Sequence, residues 1–121
     1  MIINTTLVAE QIIKWLTDYA TNIGKSGYVI GVSGGIDSAT VSTLCAMTGL
    51  KTLVVGMPIH QKQDQKQLSD LHMDMLCEKY SNVTKLQFDL TPSYDEFTRS
   101  LVWVVVILVC WHAAIQGQGL E

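Results

Sequence analysis

Eight consecutive residues, Gly31 to Ser38 (GVSGGIDS), carry the densest chemical signal in this chain of 121 residues. They are Gly31, Val32, Ser33, Gly34, Gly35, Ile36, Asp37 and Ser38, set between an apolar run and a helical pattern. Their physics favours a phosphate. Gly34 and Gly35 have no side chains, so the backbone can turn tightly and come close to an anion. The helix behind them aims unpaired N–H groups and a partial positive charge at the same spot. Ser33 and Ser38 add hydroxyl donors. Asp37 would repel a bare phosphate, so its presence calls for a hard cation such as Mg2+, shared between the carboxylate and phosphate oxygens. Two commoner nucleotide loops are excluded. A Walker A loop needs a Lys before Ser38, and the dinucleotide fingerprint GxGxxG does not fit Gly31, Gly34 and Gly35.

The surrounding sequence shows what must hold this loop. Residues 28–32 (YVIGV) read as a strand buried on both faces, the parallel-sheet type. Residues 51–56 (KTLVVG) read as a second such strand, and 83–90 (VTKLQFDL) as a third. A helix over 5–23 places Leu7, Val8, Ile12, Trp15, Leu16, Tyr19 and Ile23 on one face. Asn4, Thr5 or Thr6 can cap it, and Gly24 suits its C-terminal stop. A second helix follows the loop and stops at Gly49. A third, over 63–80, puts Leu68, Leu71, Met75 and Leu76 on one face. A fourth opens with Pro92 in its first turn or with Ser93 as its cap. The order α-β-α-β-α-β-α implies an α/β, Rossmann-like open parallel sheet with helices on both faces. Such a sheet delivers its βα loops to the carboxyl edge, where ligands bind.

The remaining polar residues have plainer readings. His60 reads as a solvated loop histidine, and His72 as a partly exposed residue of the third helix. Tyr94, Asp95 and Glu96 fit a first helical turn, where acids complement the dipole. Lys62 and Lys66 fit a solvated face. Cys45, Cys77 and Cys110 have no CxxC spacing and read as reduced thiols of a cytoplasmic protein. A net charge of −3 without a Lys/Arg block gives nucleic acid no footprint.

Composition changes near residue 98. Residues 101–115 (LVWVVVILVCWHAAI) are apolar except His112, and among the charged residues only Glu121 lies beyond residue 100. The uninterrupted run from Leu101 to Trp111 is short for a membrane span, which needs about 20 residues. It fits a buried core strand or helix, so no membrane role is expected. The chain is accordingly read as a domain over 1–98 and an apolar tail over 99–121.

SGGIDS after a first strand resembles the signature of the N-type ATP pyrophosphatases. That superfamily includes NAD synthetases, GMP synthetases, asparagine synthetases and tRNA-thiolating enzymes. The wider wording (YVIGVSGGIDSATVSTLCAMTG, then VVGMPIHQ, then DLTPSYDEF) resembles the ammonia-dependent NAD synthetases over residues 5–98. The resemblance implies an adenine nucleotide alpha-hydrolase-like fold, incomplete here. It implies ATP, deamido-NAD and ammonia as substrates and Mg2+ as cofactor. ATP would adenylate the nicotinate carboxylate and release pyrophosphate, and ammonia would displace AMP to give NAD. Gly31 to Ser38 would hold the phosphates, Asp37 would match the metal-binding aspartate, and Met57, within Gly56-Met57-Pro58, would contact the adenosine. No catalytic side chain is assigned, because positioning and charge stabilisation suffice. The family is homodimeric. Its dimer-forming and deamido-NAD-binding segments have no match after Ser100, so the chain reads as a truncated or aberrantly terminated member, expected to be inactive or impaired. The alternatives are a nucleotide-binding module without turnover, or another ATP pyrophosphatase such as a GMP synthetase or tRNA-modifying relative.

Overall fold

Asn4 starts the first helix, its side-chain oxygen accepting the Leu7 N–H at 3.2 Å. A computed structural model of the chain describes residues 2–115. Helix α1 (Thr5–Asn22) ends where the Ile23 N–H returns to Tyr19 O and Gly24 turns to φ +69. Only a residue without Cβ enters that left-handed region at little cost. The chain then alternates β1 (Gly27–Gly31), α2 (Ile36–Met47), β2 (Lys51–Gly56), α3 (Gln63–Lys79), β3 (Val83–Gln87) and α4 (Thr91–Ile115). It divides into two units, Met1–Asp89 and Leu90–Glu121.

In the first unit the strands form a parallel sheet of order β1-β2-β3. Gly27 pairs with Lys51 and Gly31 with Val55; Thr52 pairs with Val83 and Gly56 with Gln87. Consecutive order with right-handed crossovers places successive helices on one side. Accordingly, α2 packs on β1 and β2, α3 on β2 and β3, and α1 beside α2. The core between helices and sheet is Val32, Ala46, Val54, Met73, Leu76 and Val83. Asn82 ties the amino-terminal edge together, donating to Ala46 O at 2.9 Å and Leu50 O at 2.7 Å.

The sheet is the open parallel α/β sheet expected, with particular differences. The crossover helices of this unit occupy one face rather than both. The residues read as buried on both faces in the first strand are not, since Val29 is 71% exposed. Among the described residues β1 pairs with β2 alone, so it is an edge strand. Strand β3 stops at Gln87 rather than Leu90, because its partner β2 ends at Gly56. Helix α3 buries Ser69, Met73 and Leu76, and leaves Leu68, Leu71 and Met75 exposed. Both sets have helical spacing. The sheet selects the first because Met73 fills the space over Gly56, its Cε 3.0 Å from where a Gly56 Cβ would stand.

The second unit is one helix. The Tyr94 N–H bonds Leu90 O at 2.9 Å, so α4 begins before Pro92, and Ser93 lies inside it rather than capping it. Proline is tolerated in a first turn, where its missing N–H has no intrahelical partner. No Gly or Pro interrupts residues 93–116, so the helix propagates through the β-branched run once nucleated. Side chains from Leu101 to Trp111 are exposed, and the run expected to be a buried core element is not buried. By length and composition Thr91–Ala113 could cross a membrane. The break read near residue 98 falls within this helix.

Candidate phosphate-binding site

The site begins where β1 ends. The Val32 N–H extends the parallel ladder to Val55 O at 2.9 Å, and Ser69 Oγ of α3 donates to Val32 O at 3.2 Å. The backbone then reverses at Gly34, with φ +85. Gly34 is required twice: a side chain there would be strained, and its Cβ would stand 2.5 Å from Gln65 O in the first turn of α3. Gly35 is the N-cap of α2 and no side chain takes up the first N–H groups of that helix. They therefore remain donors for an anion.

The two serines close the turn on itself. Ser38 Oγ accepts the Ser33 N–H at 3.1 Å and donates to Gly35 O at 3.2 Å. The two hydroxyl oxygens are 3.1 Å apart. Asp37 stands exposed in the first turn of α2. Among the described residues no group of three or more His, Cys, Asp or Glu could hold a metal ion. Asp37 is the one carboxylate of the Gly31–Ser38 turn, and a single carboxylate can hold Mg2+ only together with phosphate oxygens and water.

The second βα loop forms the other wall. Gln61 Nε2 donates to Ser33 O at 2.8 Å and so ties the loop after β2 to the loop after β1. Met57 Cε lies 3.8 Å from where a Gly31 Cβ would be. Gly31, Val32, Ser33, Met57, Ile59 and Gln61 line a cleft of about 460 Å³. Met57 and the glycine loop therefore meet at one carboxyl edge, while Gly34, Gly35 and Ile36 line a neighbouring cavity of about 310 Å³ with Leu68 and His72. A larger concavity of about 600 Å³ opens by Lys25, Ser26, Lys51 and Asn82 at the amino-terminal edge. Ligands of open α/β sheets bind at the carboxyl ends of strands, which favours the smaller cleft.

Three contacts lie beyond what spacing reveals. Gln61 belongs to the MPIHQ segment, but nothing in the sequence shows its bond to Ser33. Ser69 and the pair Ser42–His72 lie on helices joined only by tertiary packing. His72 Nε2 is 2.8 Å from Ser42 Oγ, and partial burial lowers the His72 pKa below its ordinary value. His60 sits at φ +46 in the second loop. Cys45, Cys77 and Cys110 are all free thiols.

An open parallel sheet whose first βα turn reverses at a glycine and runs into a helix N-terminus belongs to the α/β class whose ligand sites lie at the carboxyl edge. The sequence pattern of the NAD synthase family matches residues 8–103, and the chain belongs to that family. It is 33% identical over 98 residues to the NH3-dependent NAD+ synthetase of Sulfolobus acidocaldarius, covering 78% of this chain and 34% of that protein. With the enzyme of that name from Mannheimia succiniciproducens it is 42% identical over 55 residues, 45% of this chain and 22% of the relative. Among solved structures, the NMN synthetase of Francisella tularensis superposes with a TM-score of 0.74 at 29% identity, covering 83% of this chain and 40% of that one. The NH3-dependent NAD synthetase of Campylobacter jejuni, solved with a nitrate ion, gives 0.70 at 22% identity, covering 94% and 54%, and so shares the fold. The chain spans about a third of the length of the Sulfolobus relative.

Proposed function

We propose that the chain carries the ATP-binding half of an ammonia-dependent NAD synthetase, with Gly31 to Ser38 holding the phosphates of ATP and then pyrophosphate. The observation that supports it most is the Gly34–Gly35 reversal at an uncapped helix N-terminus, within the segment that matches the family. The N–H groups of the first turn of α2 face the phosphates and take up charge as pyrophosphate departs. Ser33 and Ser38 trade their mutual contact for phosphate oxygens. Met57 and Ile59 give the nucleoside an apolar wall that excludes water. Asp37 would hold Mg2+, whose charge neutralises the phosphate oxygens when bound. The reaction is adenylation of deamido-NAD followed by displacement of AMP by ammonia, in a cytoplasmic setting.

The second reading is nucleotide binding without turnover. One assay separates the two. The chain is titrated with ATP–Mg2+ by calorimetry, then supplied with deamido-NAD and ammonia while pyrophosphate and NAD are measured. Binding with NAD formation supports the synthetase; binding alone supports the module; no binding defeats both. Replacing deamido-NAD by its mononucleotide tests for NMN synthesis, the activity for which the Francisella relative is named.

A further inference from the structure

Ser42 is wholly buried on α2, and its hydroxyl has three neighbours: Ser38 O at 2.7 Å, Ala39 O at 3.1 Å and His72 Nε2 at 2.8 Å. The two carbonyl oxygens are acceptors only. The single hydroxyl proton must therefore point at them, or two oxygens would face each other closely with no hydrogen between them. His72 Nε2 must then carry a hydrogen and donate it to Ser42 Oγ. With the hydroxyl proton shared between the two carbonyls this assignment accounts for every contact, and the reverse leaves both carbonyl contacts without a hydrogen. It also excludes Ser42 as a nucleophile, because its proton is committed to the helix backbone and its oxygen is inaccessible.

The carbonyl at the end of this chain belongs to Ser38, whose own hydroxyl holds the Ser33 N–H. His72 also lines the cavity bounded by Gly34, Gly35 and Ile36, so its ring flanks the turn itself. We infer that His72 is a positioning residue for the phosphate loop, acting from α3 through Ser42 on Ser38 and so on the geometry of Ser33–Gly35. It touches no phosphate. This rests on the reading that the loop binds phosphate, but the relay is testable without any ligand.

Nitrogen-15 NMR of the full chain comes first. The neutral His72 ring is expected as the Nε2–H tautomer, and the Nδ1–H tautomer overturns the relay. Without nucleotide, exchange of the Ser33 amide is expected to accelerate about fivefold in His72→Leu and in Ser42→Ala, the loss of about one hydrogen bond. His72→Gln keeps an N–H near Nε2 and is expected to stay within about twofold of the parent, as a donor-specific role requires. The double variant His72→Leu/Ser42→Ala is expected to add nothing, because the two residues form one chain of contacts. Equal acceleration in the Leu and Gln variants, or none in either, overturns the inference. ATP–Mg2+ titration of the same proteins separates the levels: affinity should follow exchange in rank order. A parent that does not bind ATP defeats the phosphate reading while tautomer and exchange still decide the relay. Should His72→Leu fail to fold, Gln against parent and Ser42→Ala carry the same decision.

Discussion

Gly34 passes directly beneath the Gln65 carbonyl, so close that a Cβ on Gly34 would stand 2.5 Å from the oxygen. The phosphate turn and the first turn of α3 are therefore packed backbone to backbone. Gly34→Ala combines a left-handed φ with a clash against an immovable group and is expected to cost about 2–4 kcal/mol. Gly24→Ala, at φ +69 with nothing within 4 Å, is expected to cost about 1 kcal/mol. Urea unfolding of both variants checks the difference.

Asp37 should separate metal-dependent from metal-free affinity. Asp37→Ala loses a helix-dipole interaction of about 0.3–1 kcal/mol and little else from the fold. Affinity for ATP with Mg2+ is expected to fall about tenfold or more, equivalent to about 1.4 kcal/mol. Without Mg2+ the variant is expected to bind ATP at least as well as the parent, since a repelling charge is gone. Equal losses in both conditions would refute the metal assignment.

Met73 and Asp74 are neighbours in sequence with opposite energetic weight. Met73 is fully buried against Gly56 and Val54, so Met73→Ala is expected to cost about 2–5 kcal/mol. Asp74 meets Lys85 Nζ at 2.6 Å but is 58% exposed, so Asp74→Ala is expected to cost under about 1 kcal/mol. Thermal unfolding ranks the two.

Partial burial holds His72 below its ordinary pKa of about 6.5. The unfolded chain then binds more protons than the folded one in that window, so stability rises with pH there. The contribution is fully present above about pH 6.5 and is lost as pH falls through the lower folded value. His72→Gln removes it. Unfolding free energies of parent and variant between pH 7.5 and about 5 should therefore converge as pH falls. A gap that widens on acidification would show the opposite shift.

The exposed apolar side chains of α4 predict self-association of the chain in dilute buffer. Val104→Lys with Leu108→Lys, one turn apart, is expected to shift sedimentation toward monomer without changing the unfolding midpoint of the sheet. A parent that sediments as a sharp monomer contradicts the expectation.

Much of the fold was legible because local signals agreed with tertiary demands. The run at 51–56 is β2 to the residue, and Asn4 and Gly24 bracket α1 as their chemistry requires. The loop's position between β1 and α2 was legible for the same reason. What was hidden depended on partners distant in sequence. Periodicity put Leu68, Leu71, Met75 and Leu76 on one face of α3, yet of these Leu76 alone is buried, and the small Gly56 beneath the helix admits Met73. Val29 looked buried because parallel strands are usually covered on both faces, and the face that carries Val29 is left exposed. The run from Leu101 to Trp111 read equally as strand or helix, and the helix begun before Pro92 decided it. His72 looked bland because its partner, Ser42, is 30 residues away on another helix.

The bond from Gln61 to Ser33 O has one more consequence. It makes the loops after β1 and β2 a single mechanical body, so a ligand group that displaces one loop must also do work on the other. Fragments of a nucleotide that engage only one loop would then bind with free energies that do not sum to that of the whole. The discrepancy between the adenosine and triphosphate fragments and intact ATP, compared between the parent and Gln61→Ala, would isolate the share carried by that one amide contact.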